Sequence, residues 1–370
     1  MRLANVWNLG IKELRGLLRD PILLILIVYS FSLSIYTSAK AMPETLNKAA
    51  IAIVDEDGSQ LSARIAGAFY PPYFTAPNMI STAEMDARMD AGLETFALTI
   101  PADFQRDLLA GRQPVIQLNV DATRMTQAFT GTGYVQSIVT YEVNEFLSRH
   151  RDAPQMTADL VLRARFNPNL SQSWFGAISD VITSITMLGI VLTGAALIRE
   201  REYGTVEHLL VMPVTATEIM VAKIWSMGAV VLLASALAIW VVVEGLLAVP
   251  IPGSLPLFIF GTALQLYAIT ALGIFLATVA GSMPQFGLLL VLVFLPMQVL
   301  SGTMTPRESM PEVIQTIMLA APNTHFAILA QAILFRGAGL SVVWPQLLAL
   351  AGIGTGLFAF ALVRFRAFLR

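Results

Sequence analysis

The sequence predicts a polytopic α-helical membrane protein with six transmembrane helices and one inserted α/β domain, which we expect to be periplasmic. Three observations lead to this fold class. Hydrophobic residues make up 56% of the 370 residues and charged residues only 13%, about half the charged share of an ordinary soluble domain. Six apolar stretches have the length of about 20 residues that crossing the hydrocarbon core requires. One long polar segment separates the first stretch from the second.

Residues 1–20 form the first predicted element, an amphipathic helix. Apolar residues recur at helical spacing, and Lys12, Arg15 and Arg19 lie among them. An ordinary soluble helix is the alternative interpretation. A membrane span follows at once, which favours a helix that lies in the membrane interface.

The predicted spans are 21–39, 174–198, 222–247, 256–279, 284–303 and 342–363. The distribution of Lys and Arg in the flanks sets their orientation. The outer segments after the third and fifth spans hold only Arg307 and Arg336. The flanks that we place inside hold Arg2, Lys12, Arg15, Arg19, Arg199, Arg201, Lys223, Arg364, Arg366 and Arg370. We therefore expect a bacterial inner-membrane protein with a cytoplasmic N-terminus and a cytoplasmic tail at 364–370.

The polar segment 40–173 is the predicted periplasmic domain. Its strands are expected at 49–54, 96–100 and 115–120, and its helices at 59–69, 82–91, 101–110 and 122–149. Thr82 is the candidate cap of the second helix, and Pro101 suits the first position of the third. Strands that alternate with helices predict an α/β domain.

Acidic residues inside the predicted spans are limited to Asp180 and Glu244. A membrane-embedded charge is a functional candidate, and the alternative is that each side chain reaches interfacial water. We favour that alternative for Glu244 and leave both interpretations open for Asp180. So few titratable groups argue against a proton-driven transporter. Asp180 and Gln298 are the candidates for a substrate path.

Several classes of function are excluded by composition and motif. The net charge of −2 gives no basic field for nucleic acid. The chain has no cysteine, and its three histidines are far apart in sequence, so we expect no metal site. No lysine follows a glycine, as the phosphate-binding loop of ATPases would require. We expect no catalytic residue and no cofactor bound by this chain.

The segment 199–221, between the second and third spans, is the most informative. Charged residues crowd its start, Gly204 permits a sharp turn, Thr205 can cap a short helix, and Pro213 ends that helix. A polar connecting loop is the alternative. Such a loop has no need for the apolar stripe of Val206, Leu209 and Leu210 inside a charged turn. The stripe favours contact with another protein.

This segment resembles the inner loop of the permeases of type-2 ABC exporters, in the branch with a large periplasmic insertion after the first span. The residues that match the family pattern are Glu200, Arg201, Glu202, Gly204, Thr205, Glu207, Leu210, Pro213 and Lys223. A second match follows the fifth span and comprises Leu300, Ser301, Gly302, Pro306, Met310, Pro311, Gln315, Pro322 and Thr324. The resemblance covers nearly the whole chain.

The resemblance implies a separate ABC ATPase that holds ATP and Mg, and a second permease that is a copy or a paralogue. The ATPase-coupling residues would be Glu200, Arg201, Glu202, Gly204, Thr205, Val206, Glu207, Leu209, Leu210 and Pro213. Among them, Glu200, Glu202 and Glu207 would set the register with charges on the ATPase. Residues 304–341 would form an outer re-entrant helical segment, with Ser301, Gly302, Pro306, Pro311 and Pro322 as its motif. A periplasmic adaptor and an outer-membrane channel are further expected partners.

The apolar walls of the spans suggest an amphipathic or hydrophobic substrate, such as a drug-like compound or a lipid. Two alternatives remain. One is a membrane scaffold or sensor that acts through residues 43–173 without transport. The other is a membrane enzyme that acts on lipid or cell wall, for which the sequence supplies no catalytic pair. The identity of the substrate, its entry route and the choice between homodimer and heterodimer are left open.

Overall fold

The computed structural model describes residues 2–41, 46–150, 172–204, 213–303 and 307–368. The chain divides into two compact units. One is helical and consists of Met1–Met42 and Ala164–Arg370. The other, Pro43–Arg163, contains a small sheet.

The helices and strands follow one another along the chain with these bounds: α1 Leu3–Leu18, α2 Pro21–Phe31, α3 Leu33–Ala41, β1 Ile51–Asp55, α4 Gln60–Gly67, β2 Asn78–Met79, α5 Thr82–Asp90, β3 Phe96–Ile100, α6 Phe104–Leu109, β4 Gln117–Val120, α7 Met125–His150, α8 Gln172–Glu202, α9 Ala216–Leu237, α10 Leu255–Val279, α11 Met283–Val299, α12 Glu312–Met318, α13 Pro322–Leu334 and α14 Leu340–Phe368. A π-helix, Ala238–Leu246, continues α9.

Five helical segments of the described chain are long and apolar enough to cross a membrane: Pro21–Lys40, Ser173–Glu202, Ala216–Leu246, Leu255–Val279 and Leu340–Ala367. The first combines α2 and α3. In a bilayer a helix satisfies every backbone hydrogen bond internally, which is why long apolar runs adopt this form. The protein is therefore an integral membrane protein with five or six apolar helical segments, the sixth being counted if the bent pair α12 and α13 forms one span.

The fifth predicted span, 284–303, is too long. Helix α11 ends at Val299 after 17 residues, which gives a length of about 26 Å at 1.5 Å per residue. The helix stops because Gly302 has a φ of +93°, a left-handed conformation that an α-helix does not contain. Within the segment predicted to be re-entrant, the structure has α12 and α13, which meet at 90°.

The boundaries of the predicted segment 199–221 also need correction. Helix α8 continues to Glu202, and α9 already begins at Ala216. Thr215 caps α9, because its hydroxyl accepts a hydrogen bond from the Glu218 N–H at 3.3 Å. What remains between the two helices is residues 203–215, about half the predicted length.

Helix α8 lies at the centre of the helical unit, with α10 packed closely against it. A Cβ added to Gly189 of α8 would lie 3.0 Å from the Ile269 side chain, and one added to Gly273 of α10 would lie 2.8 Å from the Ile190 carbonyl oxygen. Small residues at these crossing points let the two backbones approach, as is common between membrane helices. The middle of α8 is therefore held closely against α10.

The second unit, Pro43–Arg163, contains a four-stranded sheet in the order β2-β1-β3-β4. Strand β1 is parallel to β2 and β3, and β3 is antiparallel to β4. Ile51 and Ile53 on β1 and Phe96 on β3 are fully buried among the packed helices. Strands β1, β3 and β4 lie where the sequence predicts strands, whereas β2, which has only two residues, is not predicted.

Two predicted helix starts and one predicted cap in this unit are wrong, each for a local reason. The second helix begins at Thr82 as predicted, but Ser81 rather than Thr82 is its cap, since the Ser81 N–H and hydroxyl both donate to Glu84, which lowers the pKa of the Glu84 carboxyl. The helix expected from Pro101 begins at Phe104, because Asp103 has a left-handed φ of 64°. The helix expected from 122 begins at Met125, after a turn in which Asp121 accepts hydrogen bonds from Thr123.

Candidate functional site

Helix α1 packs on α9 through a face of small and apolar residues. Val6, Gly10 and Leu17 are buried, and their spacing places them on one side of the helix. A Cβ on Gly10 would lie 2.1 Å from the Trp225 ring. That ring is held in place, because Trp225 Nε1 donates to the Val6 carbonyl at 3.2 Å and the indole stacks on Trp7 at 5.1 Å. The close approach therefore requires glycine at position 10.

Four charged residues meet where α1, the end of α8 and the start of α9 come together, and we name Lys12, Glu13, Glu200 and Lys223 the polar junction. Lys223 Nζ lies 2.9 Å from Glu13 Oε1 and 2.8 Å from Glu200 Oε2. Lys12 Nζ lies 2.7 Å from Glu200 Oε1. The junction is balanced, with two cations and two anions. The Lys223 side chain is only 2% exposed, so its charge depends on these carboxylates.

Further contacts tie the start of the chain to the same region. Arg199 of α8 pairs with Asp20, which also caps α2 by accepting the Leu23 N–H at 3.1 Å. Glu218 on the first turn of α9 accepts hydrogen bonds from the backbone N–H groups of Arg2 and Thr215. Helix α1 is thus fixed to both helices that flank residues 203–215.

The last turn of α8 also holds the turn between α10 and α11. Arg201 donates to the carbonyl oxygen of Ala280 at 2.8 Å, and Glu202 accepts the Met283 N–H at 3.0 Å. The first N–H groups of a helix lack intrahelical partners and favour a negative charge. Glu202 therefore caps α11 from a neighbouring helix.

Of the predicted coupling residues, Glu200, Arg201 and Glu202 contact other helices of the same chain. Glu200 is buried in the polar junction, where Lys12 and Lys223 are its partners, and its expected role opposite an ATPase charge stays a prediction. Gly204 has a left-handed φ of 67°, consistent with the expected turn, and Pro213 is exposed just before α9. The predicted residues outside the described part of the chain are Thr205, Val206, Glu207, Leu209 and Leu210.

Glu13 and the pairing of Lys223 with two carboxylates are not predicted by the sequence. Lys223 stands out in the sequence only as a match to a family pattern and as part of a basic flank. A signal was present, since Lys223 begins an otherwise apolar stretch. Its partners lie 210 and 23 positions away, and no local periodicity reveals such a pairing.

Of the two candidates for a substrate path, one lies on α8 and the other on the neighbouring helix α11. Asp180 on α8 is half-buried and accepts hydrogen bonds from Ser34 and Ser38 of α3. Gln298 on α11 donates to Thr183, one turn after Asp180. The structure therefore brings both residues to the same stretch of α8 without direct contact between them. Glu244 lies in the π-helix and is exposed.

A buried polar cluster joins the bent pair to the helices around it. Asn323, at the start of α13, accepts from the Thr186 hydroxyl at 2.7 Å and donates to the Met297 carbonyl near the end of α11 at 3.4 Å. Gln265 of α10 donates to the same Thr186 at 3.3 Å. Ser301 donates to the Gln298 carbonyl at 3.0 Å. These bonds compensate for the burial of polar groups in an apolar unit.

The other residues of the predicted outer motif lie at the ends of elements. Gly302 forms the left-handed turn after α11, and its carbonyl accepts from Gln331 at 3.4 Å. Pro311 precedes the first residue of α12, and Pro322 is the first residue of α13. Pro306 lies outside the described residues.

A family model described as ABC-2 family transporter protein matches residues 21–363. The chain belongs to this family. It is 61% identical over 364 residues to the inner membrane transport permease YhhJ of Escherichia coli, covering 98% of this chain and 97% of that protein. It is 30% identical to the probable multidrug ABC transporter permease YbhR of the same organism, covering 97% and 98%. The chain is thus a transport permease of the ABC-2 family.

Proposed function

We propose that the chain is the membrane-spanning subunit of an ATP-driven exporter, and that a separate ABC ATPase binds it at residues 204–213. Family membership supports the use of an ABC ATPase. The main observation in support is the position of this segment. Its first residue, Gly204, follows Glu202, which caps α11, by two positions and Glu200 of the polar junction by four. ATP and Mg belong to the ATPase subunit.

The contacts around α8 can transmit a movement of its last turn to helices α1, α9 and α11. Movement of residues 204–213 during closure of the ATPase displaces the end of α8. Glu202 passes that displacement to the start of α11 through the Met283 N–H. Glu200 passes it to α1 and α9 through Lys12 and Lys223. In this proposal Glu200 and Glu202 act inside the permease, and the apolar stripe of the segment makes the contact with the ATPase.

The proposal places the chain in the bacterial inner membrane with both termini cytoplasmic, paired with a second permease copy or paralogue. The unit Pro43–Arg163 then lies in the periplasm, where it can meet an adaptor that leads to an outer-membrane channel. Relatives are named an inner membrane transport permease and a probable multidrug ABC transporter permease. These names support a drug-like or otherwise amphipathic substrate, which the apolar helices suit.

Co-purification tests the proposed contact between the chain and the ATPase. The tagged chain is expressed with the products of its neighbouring genes and extracted in a mild detergent. We expect an ABC ATPase in the purified complex, and we expect Glu207→Lys to lose it. Glu312→Lys is the matched control, because it makes the same charge reversal at an exposed position of α12.

Equal amounts of ATPase with Glu207→Lys and Glu312→Lys would contradict the proposed contact. Gly204→Pro adds a functional measurement, since proline cannot adopt the positive φ of this position. With this variant we expect ATP hydrolysis to continue and substrate transport to fall by at least tenfold. If the chain keeps its cellular function in a strain without any ATPase subunit, and no transport is measured, the sensor or scaffold alternative is favoured instead.

A further inference from the structure

Two arginines lie at the end of helix α1: Arg15 in its last turn and Arg19 at the C-cap that follows it. The other charged side chains of α1, Lys12 and Glu13, form the ion pairs of the polar junction. Arg15 and Arg19 are exposed, and neither has an ion-pair partner within the described ranges of the chain. They are four residues apart, so they lie on one edge of the helix.

An exposed apolar stripe lies between these arginines and the face packed on α9. Leu3, Trp7 and Leu18 are 76%, 60% and 68% exposed, and helical spacing puts them on one side. At roughly 100° per residue, the arginine edge lies about 100° around the helix from this stripe, on the side away from the protein. Within the described part of the chain, helix α1 thus has one covered face, an exposed apolar stripe whose Trp7 also stacks on Trp225, and an exposed basic edge.

The position of α1 restricts what can cover the other two faces. The first membrane-spanning segment starts at Pro21, three residues after α1 ends, so α1 lies at the membrane boundary. A helix there inserts its apolar side among the acyl chains and keeps its basic side at the level of the headgroups. Tryptophan, present in the stripe, is enriched at this depth.

We propose that Arg15 and Arg19 form a binding site for the phosphate of an anionic phospholipid, with the stripe of Leu3, Trp7 and Leu18 seated in the same leaflet. The guanidinium group forms paired, charge-assisted hydrogen bonds with phosphate oxygens. Two arginines one turn apart bracket a single headgroup. This site is independent of the proposed contact with an ATPase.

The test compares lipid binding by the purified full-length permease and its variants. Native mass spectrometry measures retention of phosphatidylglycerol and of phosphatidylcholine from mixed micelles. We expect wild type to prefer phosphatidylglycerol. Each basic side chain near an anionic surface contributes about fivefold in affinity, so Arg15→Gln with Arg19→Gln should weaken phosphatidylglycerol binding about thirtyfold. Phosphatidylcholine binding should not change.

Arg364→Gln with Arg366→Gln is the matched control, since it removes the same charge from exposed positions near the end of α14. It should retain most of the preference. Equal losses in the two double variants, or none in the first, would overturn the site. Inorganic phosphate provides a further arm. If it displaces phosphatidylglycerol at millimolar concentration, the site recognises free anions and the lipid assignment is wrong.

Discussion

At the scale of single residues, the polar junction shows how a charge is accommodated at the start of an apolar helix. The Lys223 side chain is buried, and two carboxylates lie within 3 Å of its ammonium group. Such a network adds little net stability compared with apolar packing, but breaking it leaves an uncompensated buried charge. The junction therefore fixes the relative positions of α1, α8 and α9, and it contributes little to the free energy of their packing.

Removing the buried cation should be costly. Lys223→Met leaves Glu13 and Glu200 close together with only Lys12 to balance them. We expect a destabilisation of about 3–5 kcal/mol, measured as a lower apparent melting temperature of the purified protein in detergent. Lys12→Met is the control on the same network. Its side chain is 53% exposed, so the expected loss is below about 1 kcal/mol. Equal losses for the two variants would refute the distinction between a buried and a peripheral cation.

The limits of sequence reasoning are clearest at this scale. The family pattern identified Glu200 and Glu202 as important, but it assigned their charges to a partner protein. The structure gives them partners on α1, α9 and α11. A pattern records which residue types occur together, whereas the direction of a side chain depends on helices that are distant in sequence. Asp20 and Arg199, separated by 179 positions, form a pair that no local pattern predicts.

At the scale of elements, hydrophobic length identified the long helices, while their ends followed local geometry. The predicted span 256–279 nearly coincides with α10, because Pro256 and a long apolar run define it within the sequence itself. Helix α11 ends four residues early at the left-handed turn of Gly302. Helix α8 extends four residues further than predicted, since Arg201 and Glu202 find partners at Ala280 and Met283 that keep the last turn helical.

The contact between α1 and α9 gives a prediction about glycine. Gly10→Ala forces a Cβ into the Trp225 ring, which cannot move without losing its stack on Trp7 and its hydrogen bond to Val6. We expect a destabilisation of about 1–3 kcal/mol from overpacking. Gly16→Ala is the matched control on the same helix, because nothing lies within 4 Å of the added Cβ. It should be neutral or stabilising by up to about 1 kcal/mol.

The measurement for both variants is the apparent melting temperature, followed by the intrinsic fluorescence of tryptophan. Gly10→Ala should also increase the solvent exposure of Trp225, seen as stronger quenching by acrylamide. A drop of the same size in Gly16→Ala would mean that glycine at either position serves flexibility rather than close approach.

At the scale of the whole molecule, the two units are predicted to occupy different compartments. The amino-acid sequence gives the orientation only through the distribution of Lys and Arg. Hydrophobic packing cannot supply it, since an apolar helix is equally stable in either direction across a bilayer. The absence of native cysteine offers a clean background for measuring it.

Three single cysteines determine the topology. Val115→Cys lies in the unit Pro43–Arg163, Val313→Cys in α12 and Tyr203→Cys after the last turn of α8, and all three positions are exposed. In spheroplasts, a membrane-impermeant maleimide should label the first two, and it should label Tyr203→Cys only after the membrane is permeabilised. The cysteine-free parent controls for background. Labelling of Tyr203→Cys from outside would put residues 204–213 on the wrong side for an ATP-dependent partner, because ATP is cytoplasmic, and the proposed coupling would then be impossible.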